Sequence, residues 1–178
     1  MPRPLKLTEQ QIGELAKWVA VYIAEQRTVF HAKAHPIGQA LRKLVQAFFP
    51  PDILDGVCVI RGRAGEPSFY PRLRAMGIRD APRFSEMAGI TFQDVVVHAE
   101  PLTPTLLFHE LVHAVQYKHL GRQGFAEHYV RGFLARGSYE EIPLEKQAYE
   151  LEARFAADPA AAFSVEDDVK DRIRNNRF

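Results

Sequence analysis

The side chains best suited to chemistry lie in the segment Thr103-Pro-Thr-Leu-Leu-Phe-His109-Glu110-Leu-Val-His113. On a helix, His109 and His113 fall one turn apart on one face, where two imidazoles can grip a single metal ion. Two neutral imidazole nitrogens fill half of a tetrahedral zinc shell, and a third protein ligand leaves the fourth position for water. Zinc brings the pKa of that water near neutrality. Glu110, beside the first histidine, can take its proton and pass it to a leaving amine. Hydrolysis is the chemistry expected of such a constellation.

The plainer alternative is a buried histidine pair satisfied by hydrogen bonds. The surroundings favour a metal. Leu106, Leu107 and Phe108 precede the motif, and Leu111, Val112, Ala114 and Val115, within and just after it, are all uncharged. A surface helix would scatter Lys and Glu through those positions; here the charged residues are the motif's own, as expected of a helix through the protein centre. Zn2+ is therefore the expected cofactor.

A third ligand must come from elsewhere. His119 has the spacing of HExxHxxGxxH, the pattern of the metzincin peptidases, except that Gln116 stands where they have glycine. A helix continuing through Gln116 turns His119 away from the face of His109 and His113. No methionine follows Met87 to make a downstream Met-turn. The better candidate is in Ile142-Pro143-Leu-Glu145-Lys-Gln-Ala148-Tyr149. Pro143 is placed to open a helix, with Glu145 in its first turn and Ala148 and Tyr149 on the same face. A small alanine there allows two helices to approach closely. Glu127, Glu141 and Glu152 are the other acidic candidates, and Glu145 itself also suits a first-turn glutamate that only complements the helix dipole.

HExxH on one helix and ExxA on a later one resembles the gluzincin class of zinc peptidases. The run from Phe108 to Phe155 is similar to small, mostly uncharacterised bacterial metallopeptidase-like proteins with an HELxHxxQ helix. The resemblance covers under a third of the chain. It implies His109, His113 and Glu145 as ligands and Glu110 as general base. Many gluzincins carry an aspartate four residues after the ligand glutamate, orienting a ligand histidine; here Tyr149 holds that place and is a catalytic candidate. Tyr139 and His128 share with it the possible role of steadying an oxyanion, as does His98 at a strand end.

The elements that must position these groups follow from the remaining pattern. The chain has 178 residues, 47% of them hydrophobic, which suits a single domain with a sizeable core. A formal charge of +1 gives no pull toward nucleic acid or acidic lipid, and Cys58 is the only cysteine, so neither a disulfide framework nor a thiolate cluster is expected. The start, MPRPLKLTEQQ, lacks an apolar signal region, and no run of 18 apolar residues occurs, so a cytoplasmic protein without a membrane span is expected.

Thr8 to Gln11 reads as a capping box for a helix reaching Val29 or Phe30, with His31 and His35 as dipole partners or solvated residues. A second helix carries Ile37 to Phe48 until Pro50-Pro51 stops it. Gly56 to Gly62 and Ile90 to Ala99 read as strands, the second a candidate to pair with extended substrate beside the metal helix. Arg61 to Arg83 reads as an arginine-rich surface loop, with too few rings to stack nucleic-acid bases. Gly121 should end the metal helix, a further helix covers Phe125 to Ala135, and Ser164 caps the last one.

The expected architecture is α+β, a mainly helical zincin-like domain over residues 1–178 with a small sheet beside the HExxH helix. Residues 1–50 form a helical cover, 56–157 the metal-site core and 163–178 a C-terminal docking helix. The expected function is zinc-dependent hydrolysis of a peptide or protein substrate, taken in an open, shallow cleft or supplied by a partner. The alternative is a metal-stabilised or catalytically degenerate protein-binding domain.

Overall fold

In the computed structural model, residues 7–178 are described, so the reading of Met1 to Lys6 lies outside the described residues. Helix α1 (Glu9–His31) opens on the expected capping box: the Gln11 N–H donates to Thr8 Oγ1, and the Thr8 N–H to Gln11 Oε1. The chain then makes a two-residue strand β1 (His35–Pro36), helix α2 (Gln39–Val45) and a short helix α3 (Pro51–Gly56). Pro50-Pro51 thus does more than stop α2. Pro51 takes the first position of α3, where its missing N–H costs nothing.

Strand β2 (Cys58–Arg61) follows, and the arginine-rich stretch expected as a loop contains helix α4 (Tyr70–Ala75). The single strand expected over Ile90 to Ala99 is instead a hairpin of β3 (Gly89–Phe92) and β4 (Val95–His98). Gln93 supplies the turn with a left-handed φ of 62°. Asp94, the other turn residue, is gripped by both forks of the Arg27 guanidinium at 2.5 and 2.7 Å.

The sheet order is β1-β2-β4-β3, with β2 and β4 parallel and the other pairs antiparallel. Strand β4 is central, and Val95, Val96 and Val97 are buried on both its faces. On one face Phe92, Val95 and Val97 pack with Tyr22 and Ile23 of α1. On the other, Val59 and Val96 pack with Leu107, Leu111 and Val115. Those three belong to α5 (Pro104–Arg136), capped by Thr103 Oγ1, which accepts from the Leu106 N–H.

Gly121 does break the helical path, at φ 68° and ψ 169°, but the two halves of α5 run on directly across the kink. Helices α6 (Pro143–Ala157) and α7 (Val165–Arg174) complete the chain, α7 being capped by Ser164. Close packing of α6 on α5 depends on small groups and stacked rings. Ala148 is fully buried, and Phe108 and Phe155 stack with centroids 4.5 Å apart. A Cβ on Gly132 would lie 2.7 Å from Pro143 Cδ, so α6 can start where it does only over a glycine. The observed class is α+β, mainly helical with a four-stranded sheet. Among the described residues, no helix is long and apolar enough to cross a membrane.

Candidate metal centre

His109 and His113 lie one turn apart on the first half of α5, and Glu145 reaches them from the first turn of α6. All three are buried. The two imidazole Nε2 atoms are 3.2 Å apart, and Glu145 Oε2 lies 3.4 Å from the first and 3.2 Å from the second. Donors held at about 2.0–2.1 Å around a tetrahedral zinc are separated by roughly 3.3–3.4 Å. The triangle already has that size.

The outer nitrogens explain why the inner ones converge. His109 Nδ1 lies 2.9 Å from Glu152 Oε2, and His113 Nδ1 lies 2.8 Å from Gln116 Oε1. Carboxylate and amide oxygens only accept, so each Nδ1 donates its proton outward, and in the neutral ring each Nε2 lone pair points inward. Glu145 Oε2 joins them and is itself buried without a hydrogen-bond donor. Three electron-rich atoms aimed at one buried point repel one another unless a cation sits among them. The donor set, two imidazoles and a carboxylate, suits zinc.

The electrostatics say the same. Burial favours neutral His109, yet the Glu145 and Glu152 carboxylates beside it push its pKa up to about 10, and Glu145 likewise outweighs the effect of burial on His113 to raise it. Burial would raise Glu145, but the two imidazoles bring it down to about 2. The pocket therefore demands positive charge, which protons or a metal ion can supply. Glu110 differs: burial pushes its carboxyl up, despite the opposing pull of both imidazoles and Thr91.

Glu110, His113 and Glu145 line one cavity with about 40 Å³ of room, enough for two or three waters at roughly 10–15 Å³ each. Its walls are largely aromatic: Tyr22 from α1, Phe84 and Phe92, then Tyr117, Phe125 and Tyr129 from α5. The partly exposed Met87, Gly89, Ile90 and Tyr139 lie at its rim. The cavity is small and only partly open, with Val19, Tyr22 and Ile23 of α1 forming one wall.

The other candidates are dispersed. His119 turns away, as expected of an unbroken helix, and pairs with Glu166 at 2.9 Å. Glu127 engages Arg131, Glu141 faces Lys146 and His128 packs on Phe178. His98 Nδ1 meets the Glu100 carbonyl. Glu152 stands outside the triangle of inward donors and holds the outer nitrogen of His109. Tyr149 lays its ring against His109, with centroids 4.6 Å apart, and burial raises its hydroxyl to about 12.

The sequence assigns no role in the site to four further residues, although Gln116 is the last residue of the HELxHxxQ run. Thr91 holds the Glu110 carboxylate at 2.7 Å, and a Cβ on Gly89 would come within 2.6 Å of Glu110 Oε1. Glycine in a strand marks such close approaches, which is the one clue the sequence held. Gln116 braces His113. Tyr129 lines the cavity with a buried hydroxyl that has no partner. Comparison with protein-family models, curated proteins and solved structures finds no match for the chain.

Proposed function

We propose that this chain is a zinc-dependent hydrolase of the gluzincin type, a single zincin-like domain that cleaves peptide bonds. The observation that carries the reading is the triangle of His109 Nε2, His113 Nε2 and Glu145 Oε2, whose edges of 3.2–3.4 Å fit one tetrahedral ion. Bound zinc would supply the Lewis acidity that yields a nucleophile from water at neutral pH and polarises a carbonyl. The chain's own residues do the rest. Glu110, in the same cavity and with its carboxyl raised by burial, accepts the proton of the attacking water and delivers it to the leaving amine.

Strand β3 is an edge of the sheet beside that cavity, so an extended peptide can pair with its outer backbone groups. Tyr149, against His109, and the hydroxyls of Tyr139 and Tyr129 on the cavity wall are the groups available to a developing oxyanion.

The second reading, a metal-stabilised protein-binding domain that cleaves nothing, is favoured by one observation: the cavity is small and walled by α1. One experiment separates the two. Wild type and Glu110→Gln are purified, zinc content is measured by mass spectrometry, and both are offered a peptide library with products read by mass. One zinc per chain in both proteins, with cleavage by the wild type alone, supports the hydrolase. Zinc in both and cleavage by neither leaves the binding domain.

A further inference from the structure

The geometry points to a link between the C-terminal helix and the metal centre: α7 sets which nitrogen of His113 faces the ion, through two buried amides. The inference rests on the metal reading above and deepens it.

The direction of the relay follows from its far end. Asp168 on α7 can only accept, and Gln147 Nε2 donates to its Oδ1 at 2.6 Å. That turns Gln147 Oε1 toward α5, where it must meet a donor. Gln116 supplies one through its Nε2 at 3.0 Å, and the same nitrogen donates to the Leu144 carbonyl at 3.0 Å. Both Gln116 amide protons are now spent, so Oε1 is left for His113 Nδ1, 2.8 Å away. An oxygen there requires the proton on Nδ1 and frees Nε2 for the ion. A reversed relay would place an amide donor against Nδ1, move the proton to Nε2 and spoil the ligand.

Gln116 also spans the two helices that supply ligands. It holds His113 of α5 on one side and, on the other, the carbonyl of the residue before Glu145 in α6. Gln116 and Gln147 are both fully buried, a position that is costly for an amide unless its groups are paired. Leucine would fill either place without that requirement.

Helix α7 is seated firmly enough to give the relay a fixed end. Val165 and Val169 are fully buried, and the Val165 N–H donates to the Phe48 carbonyl at 3.1 Å. Arg172 ties α7 to α6 through Glu150 and lies 3.5 Å from the Asp168 oxygen that ends the relay. Displacing α7 would release Gln147 and, behind it, the amide that fixes His113.

The test is zinc affinity, by competition with a chromophoric chelator, alongside thermal stability of the metal-free chains. The proteins are wild type, Gln116→Leu, Gln147→Leu, Asp168→Asn and, as a core truncation in α1 away from both α7 and the cavity wall, Leu15→Ala. Asn can present either a donor or an acceptor at the same place, so Asp168→Asn removes the imposed direction with little change of shape, and it carries the test if Gln147→Leu does not fold. Gln116→Leu should bind zinc about 10–100-fold more weakly, the usual cost of losing a group that orients a ligand. Gln147→Leu and Asp168→Asn should weaken it by a smaller factor, since the Leu144 carbonyl still steers Gln116. Leu15→Ala should lower Tm and leave zinc affinity alone. Wild-type affinity in Gln147→Leu or Asp168→Asn, or equal weakening in Leu15→Ala, overturns the relay while the metal reading stands. A wild type that takes up no zinc overturns both.

Discussion

Thr91 and Glu110 meet twice: the threonine Oγ1 lies 2.7 Å from the carboxylate Oε2 and 3.0 Å from the glutamate's own carbonyl. Edge strand and metal helix are thereby joined at the residue proposed as general base. The hydrogen bond favours the ionised carboxylate and opposes the upward push of burial. Thr91→Val should therefore raise the Glu110 pKa further. A general base works above its pKa, so the acidic limb of the kcat/KM profile should move to higher pH. An unmoved limb would show that Glu110 does not govern it.

Gly89 tests the same carboxylate by crowding. The added methyl of Gly89→Ala would sit 2.6 Å from Glu110 Oε1 and 3.0 Å from Leu106 Cδ1. The carboxylate must swing aside while the three ligands stay. We expect zinc content to hold at one per chain and kcat to fall by about 10²-fold, within the range a positioned acid–base group contributes.

His109 depends on Glu152 for the orientation of its ring. Glu152→Ala should weaken zinc binding by about 10–100-fold, whereas Glu145→Ala should nearly abolish it. His119→Ala should leave it unchanged. Chelator competition on the three variants gives the ranking directly, and a large effect at His119 would reverse the ligand assignment.

Glu166 of α7 carries a pH signature where it meets the middle of α5. Lys118 Nζ at 2.9 Å and His119 Nε2 at 2.9 Å, with the Lys118 ammonium foremost, draw the Glu166 carboxyl down to about 2. A carboxyl depressed on folding adds stability above its unfolded value near 4.5, and that stability is lost as pH falls toward 2. Between those limits wild type should lose Tm more steeply than Glu166→Gln. Parallel curves would show that the contact contributes nothing.

Local signals in the sequence carried much of this architecture. The Thr8 capping box, Pro143 at the head of α6 and Ser164 before α7 each satisfy backbone donors or spare one, and each begins a helix in the structure. His109 and His113 share a face because four residues make one turn, and the spacing of Glu145 and Ala148 pointed to the helix that meets them. The hairpin was not legible. Gln93-Asp94 lacks the glycine that marks a tight turn, so the β-branched run around it reads as one strand.

Helix α4 was hidden for a related reason, since Pro71 reads as a breaker although the first turn of a helix accommodates it. The supports of the site were out of reach for a different cause. Thr91, Gly89, Gln147 and Asp168 matter through partners far along the chain, and no periodicity reports which distant side chains will meet.

The ligands arrive in two instalments. His109 and His113 are held together as soon as one stretch of α5 forms, but Glu145 joins only when α6 has packed across Gly132 and the Phe108–Phe155 stack. A half-folded chain thus offers an ion two nitrogens and a weak grip. The full grip would exist only in the assembled protein, so the energy of binding an ion would flow into folding. Under the proposed metal reading, occupancy would work as a record of maturation: a chain that retains an ion through dilution would be one whose last third has found its place.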